Sequence, residues 1–283
     1  MANSTAIALV GSDTLLGREI RDIAATSAPE LDLRLIAADD EKPGTLTRVG
    51  DEPAMVTDLT VEALAAARVV VLAGSAVSAH KALELLGPEP DIPVVDLSAA
   101  AEEHPETRLR APLLEEEAED AVPIHVIAHP AAIALALFLR RLHTHDPIRQ
   151  SVIQIFAPAS EHGRAGVEEL QQQTVSLLSF KNMARGVFDT QLSFNMLSRY
   201  GEEAPVSLED TELRIERHLA TLLALPGEGQ DAPMPSLRLI QAPVFHGYSF
   251  SAWVEFETNP GVEPLEASLP TELTRARRWD RPG

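Results

Sequence analysis

The segment that decides the fold is Ala6-Ile-Ala-Leu-Val-Gly-Ser-Asp-Thr-Leu-Leu-Gly17, in which a short apolar run leads into a turn bounded by glycines. Residues 15–25 then have a helical pattern, and residues 31–38 are again apolar. An apolar strand, a glycine turn, a helix and a second apolar strand are the opening of a βαβ unit. The N-terminal part of the chain therefore predicts a parallel sheet.

The same alternation continues to about residue 130. Apolar runs at residues 68–73, 93–97 and 124–128 alternate with helical stretches, which include residues 77–86 and 130–143. Strands that are apolar throughout and alternate with helices are typical of a doubly wound parallel sheet. We predict that residues 1–130 form an α/β, Rossmann-type NAD(P)-binding domain.

The pattern changes after about residue 146. Residues 151–156, 237–244 and 250–257 alternate or nearly alternate, and in the last of these Phe250 and Ala252 share one face while Trp253 lies on the other. Alternation of this kind is typical of antiparallel strands, and helical stretches at residues 166–180 and 208–225 are available to cover one face. We predict an α+β dimerisation domain with a mixed or antiparallel sheet at residues 131–258. A tail with little packed structure is expected at residues 259–283.

Composition argues against several classes of function. The 23 basic and 43 acidic residues give a net charge of −20, which disfavours nucleic acid and anionic membranes as partners. The chain has no cysteine, which excludes disulfides and thiolate metal sites. The longest apolar stretch, residues 131–139, is far shorter than the ~20 residues that a membrane span needs. We expect a cytoplasmic protein without a metal, and we interpret the acidic run at residues 115–120 as a solvated face.

Two segments resemble sequence motifs of a known enzyme family. Val126-Ile-Ala-His-Pro-Ala-Ala132 and Ser160-Glu-His-Gly-Arg-Ala-Gly-Val-Glu-Glu-Leu170 are similar to the I-A-N-P-N-C and S-G-A-G-x-x-G-M-E-E-L motifs of the aspartate-semialdehyde dehydrogenase family. Phe194-Asn195 followed by Gly201 is similar to the family's F-N-x-I-P-x-I-G, and the resemblance extends over most of residues 5–257. Enzymes of this family are oxidoreductases that hold the acyl group on a cysteine thiolate.

The resemblance implies that the functional side chains of this family are replaced here. The nucleophilic cysteine corresponds to Ala132, and a methyl group cannot form a thioester. The general-base histidine corresponds to Tyr248, and the carboxylate-binding arginine to Gln241. The other replaced positions are His129 for an asparagine, Ala157 for a glutamine, Glu102 for a phosphate-binding arginine and Glu212 for a lysine.

Other residues could in principle supply the missing chemistry. His246 lies two residues before the family's base position, but two residues of strand displace a side chain by roughly 6.6 Å, which is too far for proton transfer in an unchanged site. Ser98 and Ser160 are more simply turn or cap residues than nucleophiles. His143 and His145 do not share a helical face, so a surface pair is the simpler interpretation than a metal site.

The turn from Gly11 to Gly17 is similar to the family's nucleotide-binding G-x-T-G-x-V-G, with Thr14 in place of the middle glycine. The simpler interpretation of both glycines is a tight turn and a close contact of helix and strand. The alternative is a dinucleotide site formed by Gly11, Asp13, Thr14, Leu15, Gly17, Asp40 and Ser98. Asp40 replaces the family's NADP-binding arginine and would repel a phosphate at ~4 Å by about 1–4 kcal/mol. We therefore expect no cofactor, or weakly bound NAD.

These replacements predict a catalytically inactive homologue that acts as a dimeric structural or regulatory protein. The family's second domain pairs by packing its sheet against that of a second copy, which implies a homodimer here, and an unidentified protein partner is a further possibility. Two alternatives remain open: a NAD-binding sensor protein, and an active oxidoreductase with a relocated site. The family's closing helix, which returns to the cofactor, is not recognisable in the sequence.

Overall fold

The computed structural model describes residues 5–38, 41–115 and 122–269. The chain divides into two compact units, the first comprising residues 1–112 and 116–128 and the second residues 113–115 and 129–283. Asp40, residues 116–120 of the acidic run and the chain after residue 269 lie outside the described residues.

The first unit is a Rossmann-type α/β fold, as predicted. Its parallel sheet has six strands in the order β2-β1-β5-β6-β8-β7, and a separate antiparallel hairpin is formed by β3 and β4. The elements are β1 (Ala6–Val10), α1 (Leu15–Ser27), β2 (Asp32–Ile36), β3 (Leu46–Val49), β4 (Glu52–Met55), α2 (Val61–Ala65), β5 (Val69–Leu72), α3 (Ala76–Leu86), β6 (Val94–Asp96), β7 (Thr107–Arg110) and β8 (Ile124–Ile127). The sequence analysis did not identify β3, β4, α2 or β7.

Close packing of backbone fixes the turn between β1 and α1. Gly11 has a φ of +83°, and a Cβ atom there would lie 2.4 Å from the Cα atom of Gly74, in the turn after β5. A Cβ atom on Gly17 would lie 2.1 Å from the carbonyl oxygen of Gly11. Neither position can accept a side chain without moving backbone, so packing alone requires both glycines.

The second unit is an α+β structure around a three-stranded sheet. The strand order is β10-β9-β11, with β10 parallel and β11 antiparallel to β9, so the predicted mixed sheet is confirmed. The predicted strand at residues 237–244 ends earlier, at Gln241. The elements are α4 (Pro130–His145), β9 (Ile148–Ala157), a short 3-10 helix (Ala159–His162), α5 (Gly163–Leu178), α6 (Leu208–Leu223), β10 (Ser236–Gln241), β11 (Ser249–Phe256) and α7 (Val262–Ser268).

Two expectations about the second unit hold only in part. The face that carries Phe250 and Ala252 is covered at β9, where Ile155 and Ile153 lie opposite them and are buried. Phe250 and Ala252 themselves are exposed, because β11 is an edge strand and α6 packs against β10 at the other edge. Little packed structure was expected after residue 258, whereas α7 forms there and contacts α4.

The long connection from α5 to α6 is held by two buried side chains of α5. The carboxylate of Glu169 accepts hydrogen bonds from the backbone N–H groups of Val187, at 2.6 Å, and Phe188, at 3.2 Å. The side-chain oxygen of Gln173 accepts from the N–H of Leu192 at 2.7 Å. Phe188 and Leu192 are fully buried, so these bonds place connection residues in the core.

Removal of the Glu169 carboxylate should loosen this connection. We expect Glu169→Ala to lower the free energy of unfolding by on the order of 3 kcal/mol, because two backbone donors lose their charged acceptor. The neighbouring Glu168 is exposed, and Glu168→Ala should change stability by less than about 0.5 kcal/mol. Urea unfolding measures both values, and hydrogen exchange should show lost protection at residues 187 and 188 in the first variant alone. Equal effects of the two substitutions would contradict this assignment.

Candidate functional site

The start of α4 is organised by His129, which precedes the helix. The Nδ1 atom of its ring accepts a hydrogen bond from the backbone N–H of Ala131 at 3.1 Å. The backbone N–H of His129 donates to Nδ1 of His218 on α6 at 2.9 Å. Because Nδ1 is an acceptor, the proton of a neutral ring is assigned to Nε2. The imidazole is completely buried, so this proton needs a partner within the protein.

That partner is Glu161, in the 3-10 helix. His129 Nε2 lies 3.1 Å from Glu161 Oε1, and the hydroxyl of Tyr248 donates to Glu161 Oε2 at 2.5 Å. The two rings meet edge to face, with centroids 5.7 Å apart. Three segments that are distant in sequence thus meet at one carboxylate, and we call these residues the Glu161 cluster.

The environment of the cluster fixes the protonation of its members. Burial favours the neutral form of Glu161, but the hydrogen bond and electrostatic attraction of His129, the hydroxyl of Tyr248 and the charge of Arg214 outweigh it and lower the pKa of the carboxyl. Burial, together with the charge and hydrogen bonding of Glu161, raises the pKa of the Tyr248 phenol. Tyr248 is therefore a neutral hydrogen-bond donor, and Glu161 is the ionised acceptor.

A second polar network surrounds Gln241, at the end of β10. The Tyr200 hydroxyl donates to Gln241 Oε1 at 2.7 Å, and Gln241 Nε2 donates to the carbonyl oxygens of Ala157, at 2.9 Å, and Ala242, at 3.2 Å. His162 Nε2 lies 2.8 Å from the Tyr200 hydroxyl, whose proton is already used, so the ring donates to it. Burial lowers the pKa of His162. Gln241 is fully buried and satisfied, which makes it a structural link between β9 and β10.

The position implied for a nucleophile is inert. Ala132 is the third residue of α4 and is completely buried. The preceding residue, Ala131, donates its backbone N–H to His129. The site therefore has no nucleophilic atom at this point of the helix.

The position implied for a substrate-binding lysine is acidic and already paired. Glu212 on α6 accepts hydrogen bonds from Arg238 Nη1, at 3.0 Å, and from the N–H of Leu239. It lies on the wall of a cavity of about 380 Å³ together with Arg199 and Glu209. Glu212 thus connects α6 to β10. Glu102, the other acidic replacement, lies in the turn after β6 of the first unit.

The remaining candidates have local structural roles or none within the described residues. The Ser98 hydroxyl donates to Asp96 at 2.6 Å in the turn after β6, and His143 Nδ1 accepts from the N–H of Ile148 at 3.0 Å after α4. His246 is exposed and makes no hydrogen bond to the Glu161 cluster. Among the described residues, no three His, Asp or Glu side chains are placed to hold a metal ion. None of the described helices is long and apolar enough to cross a membrane.

Sequence reasoning did not identify Glu161, His162, Tyr200 or His218 as members of these networks. One signal was present: Glu161 and His162 stand where the S-G-A-G motif has glycine and alanine. Large polar side chains at positions of small ones need new partners when they are buried. Those partners are Tyr248 and Tyr200, respectively.

The glycine-bounded turn of the first unit has fewer backbone donors to offer than a pyrophosphate site of a dinucleotide. Such a site offers free backbone N–H groups at the start of a helix. Here Thr14 Oγ1 accepts the N–H of Gly17 at 2.9 Å and donates to the carbonyl oxygen of Ala73 at 2.8 Å. The N–H of Asp13 donates to Glu41 at 2.8 Å. Side chains of the chain itself thus use two donors that a phosphate would need.

Comparison with known proteins finds similarity to aspartate-semialdehyde dehydrogenases and to USG-1 protein homologs. No protein-family model matches the chain. It is 28% identical over 147 residues to an aspartate-semialdehyde dehydrogenase of Rickettsia bellii, a match that spans 51% of the chain and 42% of the relative. A USG-1 protein homolog of Pseudomonas aeruginosa is 29% identical over 187 residues, which span 65% of the chain and 53% of the relative. The chain thus spans about half the length of these two relatives.

Other similarities cover the chain almost completely. An aspartate-semialdehyde dehydrogenase of Streptomyces akiyoshiensis is 27% identical over 293 residues, which span 98% of the chain and 81% of the relative. The crystal structure of aspartate semialdehyde dehydrogenase II from Vibrio cholerae, complexed with ASA, has a TM-score of 0.77 at 18% identity and covers 95% of the chain and 79% of its own. The structural similarity establishes the fold, and the chain is similar in sequence to aspartate-semialdehyde dehydrogenases.

Proposed function

We propose that this chain is a catalytically inactive homologue of aspartate-semialdehyde dehydrogenase that acts as a dimeric structural or regulatory protein. The observation that carries the proposal is the buried methyl group of Ala132 in the first turn of α4, in a chain without cysteine. A thioester mechanism needs a thiolate, and no residue of this chain can form one. The relatives also include USG-1 protein homologs, whose name states no enzyme activity.

The Glu161 cluster supports the same proposal. Tyr248 stands at the family's base position, but a phenol with a raised pKa that already donates to Glu161 cannot accept a proton near neutral pH. Glu161 is a weak base, because its hydrogen bonds to His129 and Tyr248 lower the pKa of the carboxyl. The cluster therefore stabilises the fold where the family performs proton transfer.

The two alternatives have less support. A relocated base at His246 would lack an orienting partner among the described residues, and catalytic bases are normally held by one. A NAD sensor would need the amide donors of the glycine-bounded turn, of which Glu41 and Thr14 take two.

The open face of the mixed sheet supports a homodimer. Trp253 on β11 lies directly opposite Val152 on β9, and their side chains are 54% and 49% exposed. Ile153, the next residue of β9, is buried on the opposite face. An exposed pair of large apolar side chains on a sheet that already has one covered face favours pairing with a second copy by two-fold symmetry.

The purified protein should not reduce NADP in the presence of aspartate semialdehyde and phosphate. Ala132→Cys should also be inactive, because Tyr248 and Gln241 remain at the base and carboxylate-binding positions. The introduced thiol should react with a thiol reagent on the order of 100-fold more slowly than that of the control Ala134→Cys, because Ala134 is exposed on the same helix. Absorbance of reduced nicotinamide that persists through repurification, or turnover by Ala132→Cys, would refute inactivity.

The stabilising effect of Glu161 should depend on pH. Because its pKa is lowered from 4.5 in the folded protein, the carboxylate contributes stability above that pH and loses it as the pH falls through the lowered value. We expect Glu161→Gln to cost about 1–3 kcal/mol near neutral pH, with a smaller difference from the unmodified protein in acid. Chemical unfolding across this pH range measures the difference. The exposed control Glu168→Gln should show little pH-dependent difference, and a constant cost for Glu161→Gln would argue against an ionised buried carboxylate.

A charge on the open sheet face should dissociate the dimer. We expect Trp253→Lys to raise the monomer fraction at micromolar concentration, because a buried ammonium group without a partner is costly. Val77→Lys, which replaces an exposed apolar residue on α3, serves as the control and should leave the monomer fraction unchanged. Sedimentation equilibrium gives both masses. A 30.6 kDa species for the unmodified protein would rule out the dimer, and a dimer unaffected by Trp253→Lys would place its interface elsewhere.

A further inference from the structure

We propose that Glu41 is an internal ligand of the glycine-bounded turn, and that its carboxylate takes the place of a bound phosphate and keeps pyrophosphate-containing nucleotides out. The proposal concerns the first unit and does not depend on the inactivity of the second. It assigns a role to a residue whose neighbours 39 and 40 lie outside the described part of the chain.

The carboxylate of Glu41 bridges the ends of the first two strands. Its Oε1 atom accepts the N–H of Asp13, just after β1, at 2.8 Å, and its Oε2 atom accepts the N–H of Ala38, just after β2, at 3.1 Å. The N–H of Glu41 donates to the carbonyl oxygen of Ala38 at 3.0 Å, which turns the chain back toward the loop. Carboxyl ends of parallel strands and the helix starts that follow them are where such folds bind anionic ligands.

A count of the loop amides shows how little remains for a ligand. The N–H groups of Gly11 and Ser12 donate to the carbonyl oxygen of Ile36, and that of Thr14 donates to the carbonyl oxygen of Gly11. Gly17 and Arg18 donate to the side chain and carbonyl of Thr14, respectively. Within the described residues, the amides of Leu15 and Leu16 make no hydrogen bond. Each N–H carries one hydrogen, so the Asp13 amide cannot serve Glu41 and a phosphate together.

Charge acts in the same direction as hydrogen bonding. Arg18, in the first turn of α1, forms two bonds to the Asp13 carboxylate, at 2.8 and 2.9 Å. Arg18 is therefore already paired with one carboxylate, and Arg21 Nη1 lies 3.6 Å from the same group and donates to the carbonyl oxygen of Ser12. Glu41 adds a second negative charge beside the loop. A phosphate that entered would meet this charge at short range in a partly buried position, where screening is weak.

An opposite role for Glu41 makes an opposite prediction. In dinucleotide-binding folds an acidic residue after the second strand accepts hydrogen bonds from a ribose hydroxyl. If Glu41 had that role, its removal would weaken nucleotide binding. If it is an internal ligand, its removal must strengthen binding. The sign of one measured change therefore separates the two.

Titration calorimetry with ADP-ribose and with inorganic pyrophosphate tests the proposal on the full chain. We expect weak or undetectable binding to the unmodified protein and at least about tenfold tighter binding of both probes by Glu41→Ala, which frees the Asp13 amide and removes the charge. Glu41→Gln should give a smaller gain, because its amide oxygen can still accept one of the two N–H groups. Glu84→Ala removes an equal charge from an exposed position on α3 and should leave both affinities unchanged.

Each other result would overturn the proposal. Weaker binding by Glu41→Ala would assign Glu41 to a ribose, and unchanged binding in every variant would show that the carboxylate does not compete. One measurement uses the unmodified protein and so does not depend on whether a variant folds. Hydrogen exchange should find the amides of residues 13 and 38 protected. Fast exchange at both would show that the internal contact is absent in solution.

Discussion

The partly buried carboxylate of Glu161 is the constraint on which the polar interior of the second unit depends. A charge removed from water must be paired and hydrogen-bonded, and each oxygen of this group has one strong donor. His129 can serve as one of them only because the amide of Ala131 fixes its other nitrogen as an acceptor. The start of α4, the 3-10 helix and the segment before β11 are thus joined by the needs of one group. Any change that removes both donors leaves a partly buried charge without these hydrogen bonds.

A related solution occurs in the first unit. The glycine-bounded turn retains the geometry of a nucleotide-binding loop because Gly11 and Gly17 allow backbone to pack on backbone. Two of its donors nevertheless bind the side chains of Thr14 and Glu41, which the chain supplies itself. In both units, several polar groups that could serve a small molecule are thus satisfied internally. Each satisfied group lowers the gain from binding a ligand, since the ligand must first displace an existing partner.

The sequence predicted the parts of the fold that local pattern controls. Apolar runs such as residues 6–10 identified parallel strands, and α1 begins at Leu15 as predicted, because the turn before it is closed by glycine and capped by Thr14. The β3–β4 hairpin was missed, since its short strands are mostly exposed and contain Pro53. The parallel direction of β10 was also not predicted. Alternation identifies a strand with one covered face but carries no information about direction.

The Glu161 cluster could not be predicted by local pattern, because its contacts join residues 32 and 87 positions apart in sequence. Family resemblance helped only partly, since it aligned Tyr248 with a base and His129 with an asparagine but assigned no role to Glu161. Only the fold brings Glu161, which stands at a glycine position of the family motif, into contact with both side chains. The replacements are therefore mutually dependent: Glu161 needs donors, and Tyr248 and His129 provide them.

The motif positions that this chain retains are those on which the backbone depends. A Cβ atom on Gly166 would lie 2.2 Å from the carbonyl oxygen of Ala159, and Glu169 holds the connection to α6. Neither role involves a substrate. Steric limits of this kind persist for as long as the fold does, whereas the buried methyl group of Ala132 contributes packing and no chemistry. A resemblance carried by such positions therefore indicates the architecture. The reaction has to be inferred separately, from the atoms present at the site.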